Sequence, residues 1–520
     1  MEIAWRRRTR AVCCLGWAVL VAAPLGSTIH AQDAKPTAAQ AEETVGSTMT
    51  LEEIQNGGKP KTAVEDEGVK PRLITTAAEP IPALRYRFWP SEQELKAGDA
   101  KVFFFRTAVS FNSASREKQL NEYFAKWEEA REAGKDLPIL EIRKALQPYR
   151  LQFDELETMS LCDHQDLDMQ LRELRGADVY MILLEEVQVA RNIAKLLRWR
   201  MAEQAAAGDW DGFTRTTRTG YRLARLISTG DTLIHSLVGI AITAIITEEV
   251  QRAAQHKDSP NFYWALASLP RPMFDLRSAL ELETSIVDRV FPFLAECRKG
   301  PLPEKVVQEQ WEAMQKVLFN IEADTSFAFS VVGALSVEKA KANLLQRGWK
   351  EESFKAYPVM QLVLIDLDDS MREKGDMAMK YFLLPDDVAL QARINENKAF
   401  EKWVKEERSL ASLVAGLLFP AIAQVSNAAT RSEYIINGAM NKEAIRMYVA
   451  IHSELPKNLD ALEPVPALPN PYTHKPYELV VKPTSRNNLV EVEIKGEVPG
   501  VSAPYVTWVS PFLIEVKSQK

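Results

Sequence analysis

The chain has 520 residues, 46% of them apolar, which is an ordinary composition for a globular protein with a large core. Its formal net charge is −7 at pH 7. This charge argues against nucleic acid as a partner, because nucleic-acid-binding proteins usually present a basic surface to the phosphates.

Residues 1–31 have the layout of a secretory signal peptide. Four arginines within residues 6–10 precede an apolar stretch, Ala11–Leu25, and a short polar run ends at Ala31. The apolar stretch is about 15 residues long, shorter than the roughly 20 that a membrane-spanning helix needs. We therefore expect cleavage and export to the periplasm or the cell exterior. The alternative is an uncleaved N-terminal segment that anchors the protein, and it is the only membrane contact that we expect.

Residues 32–80 are predicted to be a disordered linker, because they are rich in small and charged residues and poor in aromatic ones. A helical domain is predicted for residues 81–405. It begins with an extended segment in which Leu84, Tyr86 and Phe88, at every second position, pack on the core.

Apolar residues at helical spacing fill much of this domain. They predict helices over Val179–Ala206, 209–228 and Asp231–Gln255. At 208–209 and again at 230–231, a glycine ends one helix and the following aspartate caps the next. The helix Asp231–Gln255 is apolar on all sides over its first four turns, so we expect it to be central and buried. Long helices joined by such short turns pack as antiparallel neighbours.

The C-terminal part is predicted to contain a long helix, 406–456, packed on or leading from the helical domain, and then a small β subdomain, 457–520. Within the helix, the apolar stretch Leu410–Val425 contains Pro420 and is predicted to be buried and kinked, with a membrane span as the alternative. The predicted strands are Tyr477–Val481, Leu489–Ile494, Tyr505–Val509 and Phe512–Val516. The predicted fold class is therefore mainly α: an irregular antiparallel multi-helix domain with a small C-terminal antiparallel β-sheet.

The common catalytic signatures HExxH, GxSxG, the Walker loop and GxGxxG do not occur. This lowers the expectation of an enzyme without excluding one, and the sequence indicates no catalytic residue and no cofactor. The densest set of metal-ligand residue types runs from Cys162 to Asp168. On a helix, Cys162 and Asp166 would face away from His164 and Asp168, so no metal site is predicted. Cys162 and Cys297 are expected to be separate buried thiols, with a disulfide as the alternative in an exported protein.

Other ionisable residues also have structural interpretations. His235 lies on the most apolar helix and is expected to be a core histidine bonded to a backbone carbonyl. Three carboxylates on an amphipathic helix are expected to form a solvated face, with a cation site as the alternative: Asp366, Asp368 and Asp369. Glu281 and Glu283 are expected to pair with Arg271 or Arg277 rather than to perform acid–base chemistry.

An aromatic segment between Pro260 and Pro270 is the candidate site. Phe262, Tyr263 and Trp264 are consecutive, and Arg271 follows the second proline. One interpretation is a wedge that packs between longer helices, with a buried Trp264 whose indole N–H is bonded. The other is an aromatic-lined recess that binds a ligand.

Several segments within residues 84–272 carry a family resemblance: Leu84–Arg87 with Pro90, Gly98–Ala100, Cys162–Asp163, 232–241 and 260–272. In them the chain resembles a family of exported helical proteins from planctomycete-type bacteria. His164 stands where such proteins usually have a tryptophan. The resemblance implies export and one helical domain, and it carries no catalytic residue.

A second set of segments lies between Leu417 and Tyr477: Leu418–Ala421, Ala444–Tyr448, Leu455–Leu459, Pro469–Tyr472 and Lys475-Pro476. This part is similar to pseudopilin-like proteins, which implies a long helix that leads through a loop into a small sheet. The prepilin peptide of those proteins is not next to this helix, so pilus assembly is not implied.

Together these features favour a non-catalytic exported helical scaffold or interaction protein of the cell envelope, with an unknown envelope or extracellular protein as its partner. The alternatives are a hydrolase or metal-dependent enzyme with an unrecognised site, and a pseudopilin-like assembly component. The lining of the main pocket should separate them. Converging ionisable groups with shifted pKa values favour an enzyme, and an aliphatic and aromatic lining favours binding.

Overall fold

A computed structural model describes residues 71–111, 114–179, 185–319, 333–384, 386–407, 409–418, 420–486, 488–498 and 510–517. The predicted signal peptide, the linker as far as residue 70 and the predicted strand Tyr505–Val509 lie outside the described residues. The fold is mainly α-helical with a small C-terminal sheet, which confirms the predicted class.

The first helices are α1 (Ala100–Phe111), α2 (Ala114–Glu132), α3 (Ile139–Leu146), α4 (Arg150–Leu161), α5 (Glu185–Ala207), α6 (Trp210–Ser228) and α7 (Leu233–Ala253). Those that follow are α8 (Tyr263–Ala267), α9 (Arg277–Thr284), α10 (Ile286–Val290), α11 (Phe293–Cys297), α12 (Glu304–Phe319), α13 (Val337–Gln346), α14 (Val359–Met379), α15 (Asp386–Glu407), α16 (Leu410–Leu418) and α17 (Pro420–His452). The strands are β1 (Arg72–Ile74), β2 (Lys96–Asp99), β3 (Cys162–His164), β4 (Glu478–Pro483), β5 (Leu489–Lys495) and β6 (Phe512–Glu515).

Helix α7 is the central helix, as its composition predicts. It packs against α5, α6 and α17, and Ile240 and Ile246 are buried among them. By length and composition α7 is apolar enough to cross a membrane. However, 78% of its most apolar 18-residue segment is buried inside the protein. Its N-cap is Thr232, whose side chain accepts the His235 backbone N–H, and not the expected Asp231. The Asp231 carboxylate instead accepts the backbone N–H of Leu171.

Two predicted boundaries in the C-terminal half need correction. The apolar stretch Leu410–Val425 is divided between α16 and α17, and Pro420 occupies the first position of α17. Proline is tolerated there because its missing N–H would have no partner within the helix. The predicted single helix 406–456 is therefore the end of α15 followed by two helices.

The C-terminal sheet has the strand order β1-β6-β5-β4. Strand β5 is antiparallel to both of its neighbours, but β1 joins the edge of β6 in the parallel sense, with Arg72 opposite Phe512. The predicted sheet was antiparallel throughout, and residues 72–74 were predicted to belong to the linker. A three-residue strand has no recognisable period, and its partner lies at the other end of the chain.

The segment between β1 and β2 also differs from the prediction. Residues 81–89 form turns and bends rather than one extended strand. Tyr86 and Phe88 are buried as expected, but Leu84 is half exposed. One hydrophobic cluster includes Phe88, the central helices and Phe512 of the sheet, so the helical body and the predicted β subdomain share a core.

Helices α6 and α7 approach closely at Gly239. A Cβ atom there would lie 2.6 Å from the backbone oxygen of Ala224 and 2.9 Å from Cβ of Ser228. We expect Gly239→Ala to lower the free energy of unfolding by about 1–3 kcal/mol, because the helix backbone cannot yield as a side chain can. Urea unfolding measures the change.

Gly375 in α14 is the matched control. The atom nearest to an added Cβ is Cβ of Thr284 at 3.4 Å, an ordinary contact. Gly375→Ala should leave the protein equally stable or up to about 1 kcal/mol more stable, because alanine favours the helix. Equal losses in the two variants would contradict close packing at Gly239.

Candidate functional site

The aromatic segment is built into the core. The fully buried ring of Phe262 lies among four aromatic rings, with centroid distances of 5.3 to 6.2 Å: those of Tyr86, Phe88, Trp210 and Phe213. The hydroxyl of Tyr263 donates to the carbonyl oxygen of Pro466 at 2.7 Å. These contacts hold the segment from two sides, as the wedge interpretation predicts.

Trp264 is less buried than predicted. Its indole N–H is bonded, to the Glu79 carboxylate at 2.6 Å, but the ring is only partly covered. Arg271 extends towards α17, where its guanidinium donates to the side-chain oxygen of Asn437 at 3.0 Å and lies 3.9 Å from Glu433. The four candidate residues therefore contact different parts of the fold and do not converge on one ligand position.

A buried ionic cluster anchors this segment to α17. The Glu443 carboxylate accepts the backbone N–H of Phe262 at 2.8 Å and pairs with Arg446 at 2.7 Å. Arg446 is fully buried and also donates to three carbonyl oxygens, those of Thr75, Ser259 and Pro260. With a further bond to the Thr75 hydroxyl, every N–H of its guanidinium has a partner.

A second buried cluster joins α2, α5 and α7. Arg131 pairs with Glu249 at 2.9 Å, and Arg198 lies within 3.6 Å of Glu128, Glu248 and Glu249. Burial raises the pKa of Glu248, but Arg198 and Arg252 outweigh burial and leave that pKa below its usual value. The Glu248 carboxylate therefore stays ionised and paired inside the protein.

The predicted solvated face on α14 is wrong. Asp366 and Asp368 are buried, and arginines contact all three carboxylates. Arg347 donates to Asp366 at 2.6 Å, while Arg298 pairs with both Asp368 and Asp369. Arg298 and Arg347 follow other helices, so the periodicity of α14 alone could not reveal them, whereas Arg372, which pairs with Asp368 at 3.2 Å, lies on α14 itself.

The expected pairs of Glu281 and Glu283 do not form among the described residues. Arg277 pairs with Asp275 at 3.0 Å, and Arg271 faces α17. Burial raises the pKa of the Glu283 carboxyl to about 7. His235 is a core histidine as predicted, but its partners are side chains: Nε2 lies 3.0 Å from the Glu186 carboxylate and Nδ1 lies 2.8 Å from the Thr232 hydroxyl.

The segment from Cys162 to Asp168 is not helical. Residues 162–164 form β3, which pairs in parallel with β2. The Asp163 carboxylate accepts the backbone N–H of Gly98 at 3.0 Å, and Asp168 pairs with Lys101 at 3.0 Å. Within the described ranges, no three or more His, Cys, Asp or Glu side chains are grouped as a metal would require.

Cys162 and Cys297 are free and buried, which confirms the expectation of separate thiols. Burial raises the pKa of the Cys297 thiol to about 11, and the nearby Asp368 adds to the shift. This thiol therefore stays protonated and unreactive at neutral pH.

An open groove lies between α1 and the loop that follows β3. Its volume is about 610 Å3, and it is lined by Lys101, Val102, Phe105, Arg106, Val109, Leu167, Asp168, Met169 and Gln170. The exposed fractions of the valine and phenylalanine side chains are 48% for Val102, 37% for Phe105 and 76% for Val109. The lining thus combines aliphatic and aromatic side chains with three charged ones, Lys101, Arg106 and Asp168.

Sequence reasoning missed this groove. Helix α1 carries two apolar faces: Phe104 and Ala108 are buried in the core, whereas Val102, Phe105 and Val109 face the groove. The sequence could have indicated the groove, because α1 carries more apolar residues than one packed face requires.

Comparisons with known proteins identify no relative. No protein-family model matches the chain, and no curated protein and no solved structure matches it.

The two neighbouring aromatic residues should differ in their contribution to stability. Phe262→Ala is expected to lower the free energy of unfolding by about 3–5 kcal/mol, because it leaves a cavity among four rings. Trp264→Ala removes a partly exposed ring and one hydrogen bond, so about 1–2 kcal/mol is expected. Urea unfolding of both variants tests this, and a larger loss for Trp264→Ala would contradict the assignment of Phe262 as the centre of the wedge.

Proposed function

We propose that the protein is an exported, non-catalytic helical protein of the cell envelope that acts by binding another protein in the groove along α1. The observation that carries the proposal is the lining of this groove. Three exposed apolar side chains on one face of α1 are available there for contact with a partner: Val102, Phe105 and Val109.

The geometry of the groove favours a helical ligand. Val102, Phe105 and Val109 are spaced three and four residues apart, so they form one stripe over about two turns of α1. An amphipathic helix can place its apolar face along such a stripe. We therefore propose an amphipathic helix of an envelope protein as the occupant.

The charged residues that line the groove can orient this helix. Lys101 on α1 pairs with Asp168 on the loop that forms the other side of the groove, and Arg106 pairs with Glu155 at 2.8 Å. Such exposed pairs contribute little to stability, so they can exchange partners at small cost. They are therefore suited to select the register of a bound segment.

The buried ionic groups support a structural rather than a chemical role for the residues that the sequence marked as reactive. Asp366 and Asp368 are bonded to arginines, and His235 is bonded to Glu186 and Thr232. Export rests on the layout of residues 1–31 and on the family resemblance.

The order of helix, loop and sheet in the C-terminal region also supports a pseudopilin-like assembly component as a second candidate. This candidate is the weaker one, because residues 436–447 of α17 are buried without interruption. A helix enclosed in this way offers no free face for packing into a filament.

Photocrosslinking in the native envelope tests the proposal. A photoreactive amino acid at position 109 should form an adduct with one protein, whereas the same residue at Leu140, which is 79% exposed on α3, should not. The double variant Val102→Asp and Val109→Asp should keep the melting temperature and lose this partner. Adducts only with phospholipid would contradict the proposal, and so would equal adducts at both positions.

A further inference from the structure

Lys442 is a buried lysine that forms no ion pair with the described residues. Its side chain is 4% exposed on α17, and its amine donates to the carbonyl oxygen of Gln251 in α7 at 3.2 Å. The same amine lies 5.2 Å from the ring centroid of Phe512 in β6. Lys442 thus lies where the last long helix, the central helix and the C-terminal sheet meet.

The nearby carboxylates are already engaged. On its own helix, Glu443 binds Arg446 through both oxygens. On α7, Glu248 pairs with Arg252 and Arg198, and Glu249 pairs with Arg131. On β6, the group that faces the amine is the Phe512 ring. Among the described residues, a charge on Lys442 therefore has two arginines, Arg446 and Arg252, and no free carboxylate to balance it.

We propose that Lys442 is the proton-sensing residue of a latch between α17, α7 and β6, which is closed when the amine is neutral and loosened when it is protonated. One carbonyl oxygen and one ring solvate an ammonium less well than water does, so protonation favours states in which the amine has separated from Gln251 and Phe512. Because β6 pairs directly with β1, loosening the latch at β6 also weakens the attachment of the N-terminal strand β1.

The electrostatics agree with this geometry. Burial lowers the pKa of Lys442 from 10.5 to about 7; Glu443 opposes the shift, and Arg446 and Arg252 reinforce it. Opening restores the ordinary pKa, so the open state binds a proton that the closed state does not hold between pH 10.5 and 7. The opening equilibrium should rise about tenfold for each pH unit as the pH falls through this window, and level off below about pH 7.

Hydrogen exchange of the full-length protein tests the latch. Rates for β1 and β6 are measured from pH 9 to pH 6 and divided by the intrinsic chemical rates at each pH. The corrected opening constant in the wild type should rise by up to about a hundredfold between pH 9 and pH 7 and then level off. A flat profile would overturn the proposal whether or not any variant folds.

Two substitutions fix the charge in opposite states. Lys442→Met is neutral at every pH and should give slow, flat exchange in β1 and β6, and Lys442→Arg is always charged and should give fast, flat exchange. The control Lys457→Met removes an exposed lysine and should keep the wild-type profile. A pH dependence that persists in Lys442→Met would assign the proton to another group and contradict the proposal.

Discussion

The guanidinium of Arg446 lies where three distant segments of the chain meet. It comes from α17, and its donors bind the carbonyl oxygens of Thr75, which directly follows β1, and of Ser259 and Pro260, which precede the aromatic wedge. Glu443 neutralises the charge and holds the wedge through the Phe262 N–H. Burying this charge costs several kcal/mol unless every donor is paired, so the three segments must be in place together. The position of the wedge, the strand β1 and the C-terminal sheet all depend on this one condition.

The same principle recurs elsewhere in the molecule. Arg131 and Arg198 join α2, α5 and α7 through buried glutamates, and Arg298 and Arg347 join the segments after α11 and α13 to α14. Such clusters fix which helix faces which, because a misplaced helix would leave a charge unpaired in the core. Lys442 departs from this pattern, and the groove along α1 is apolar. We therefore propose regulation for Lys442 and binding for the groove, whereas the ionic clusters hold the helices together.

The spacing of apolar residues predicted the helices whose own sequence shows which residues are buried. It failed for elements that form only through contacts with distant parts of the chain. The all-round apolar pattern identified α7 as the central helix, and the two prolines located the wedge. Strand β1 could not be predicted, because it exists only through pairing with β6. From the sequence of α14, Asp366 and Asp368 were expected to face solvent. They are buried because Arg347 and Arg298, from other segments, pair with them. For the candidate site, the aromatic residues were found but their role as core was left open, and the groove was missed because its stripe lies on a helix that also packs inward.

The central claim is that Arg446 couples β1, the wedge and α17. The most direct test is hydrogen exchange of Arg446→Met, combined with urea unfolding. We expect a loss of about 3–5 kcal/mol in the free energy of unfolding, because Glu443 is left as an unpaired buried charge. Protection should fall together in 72–77, in 259–263 and in the part of α17 around Glu443, while α13 and α14 keep theirs. An unchanged free energy of unfolding, or a loss of protection confined to α17, would contradict the account.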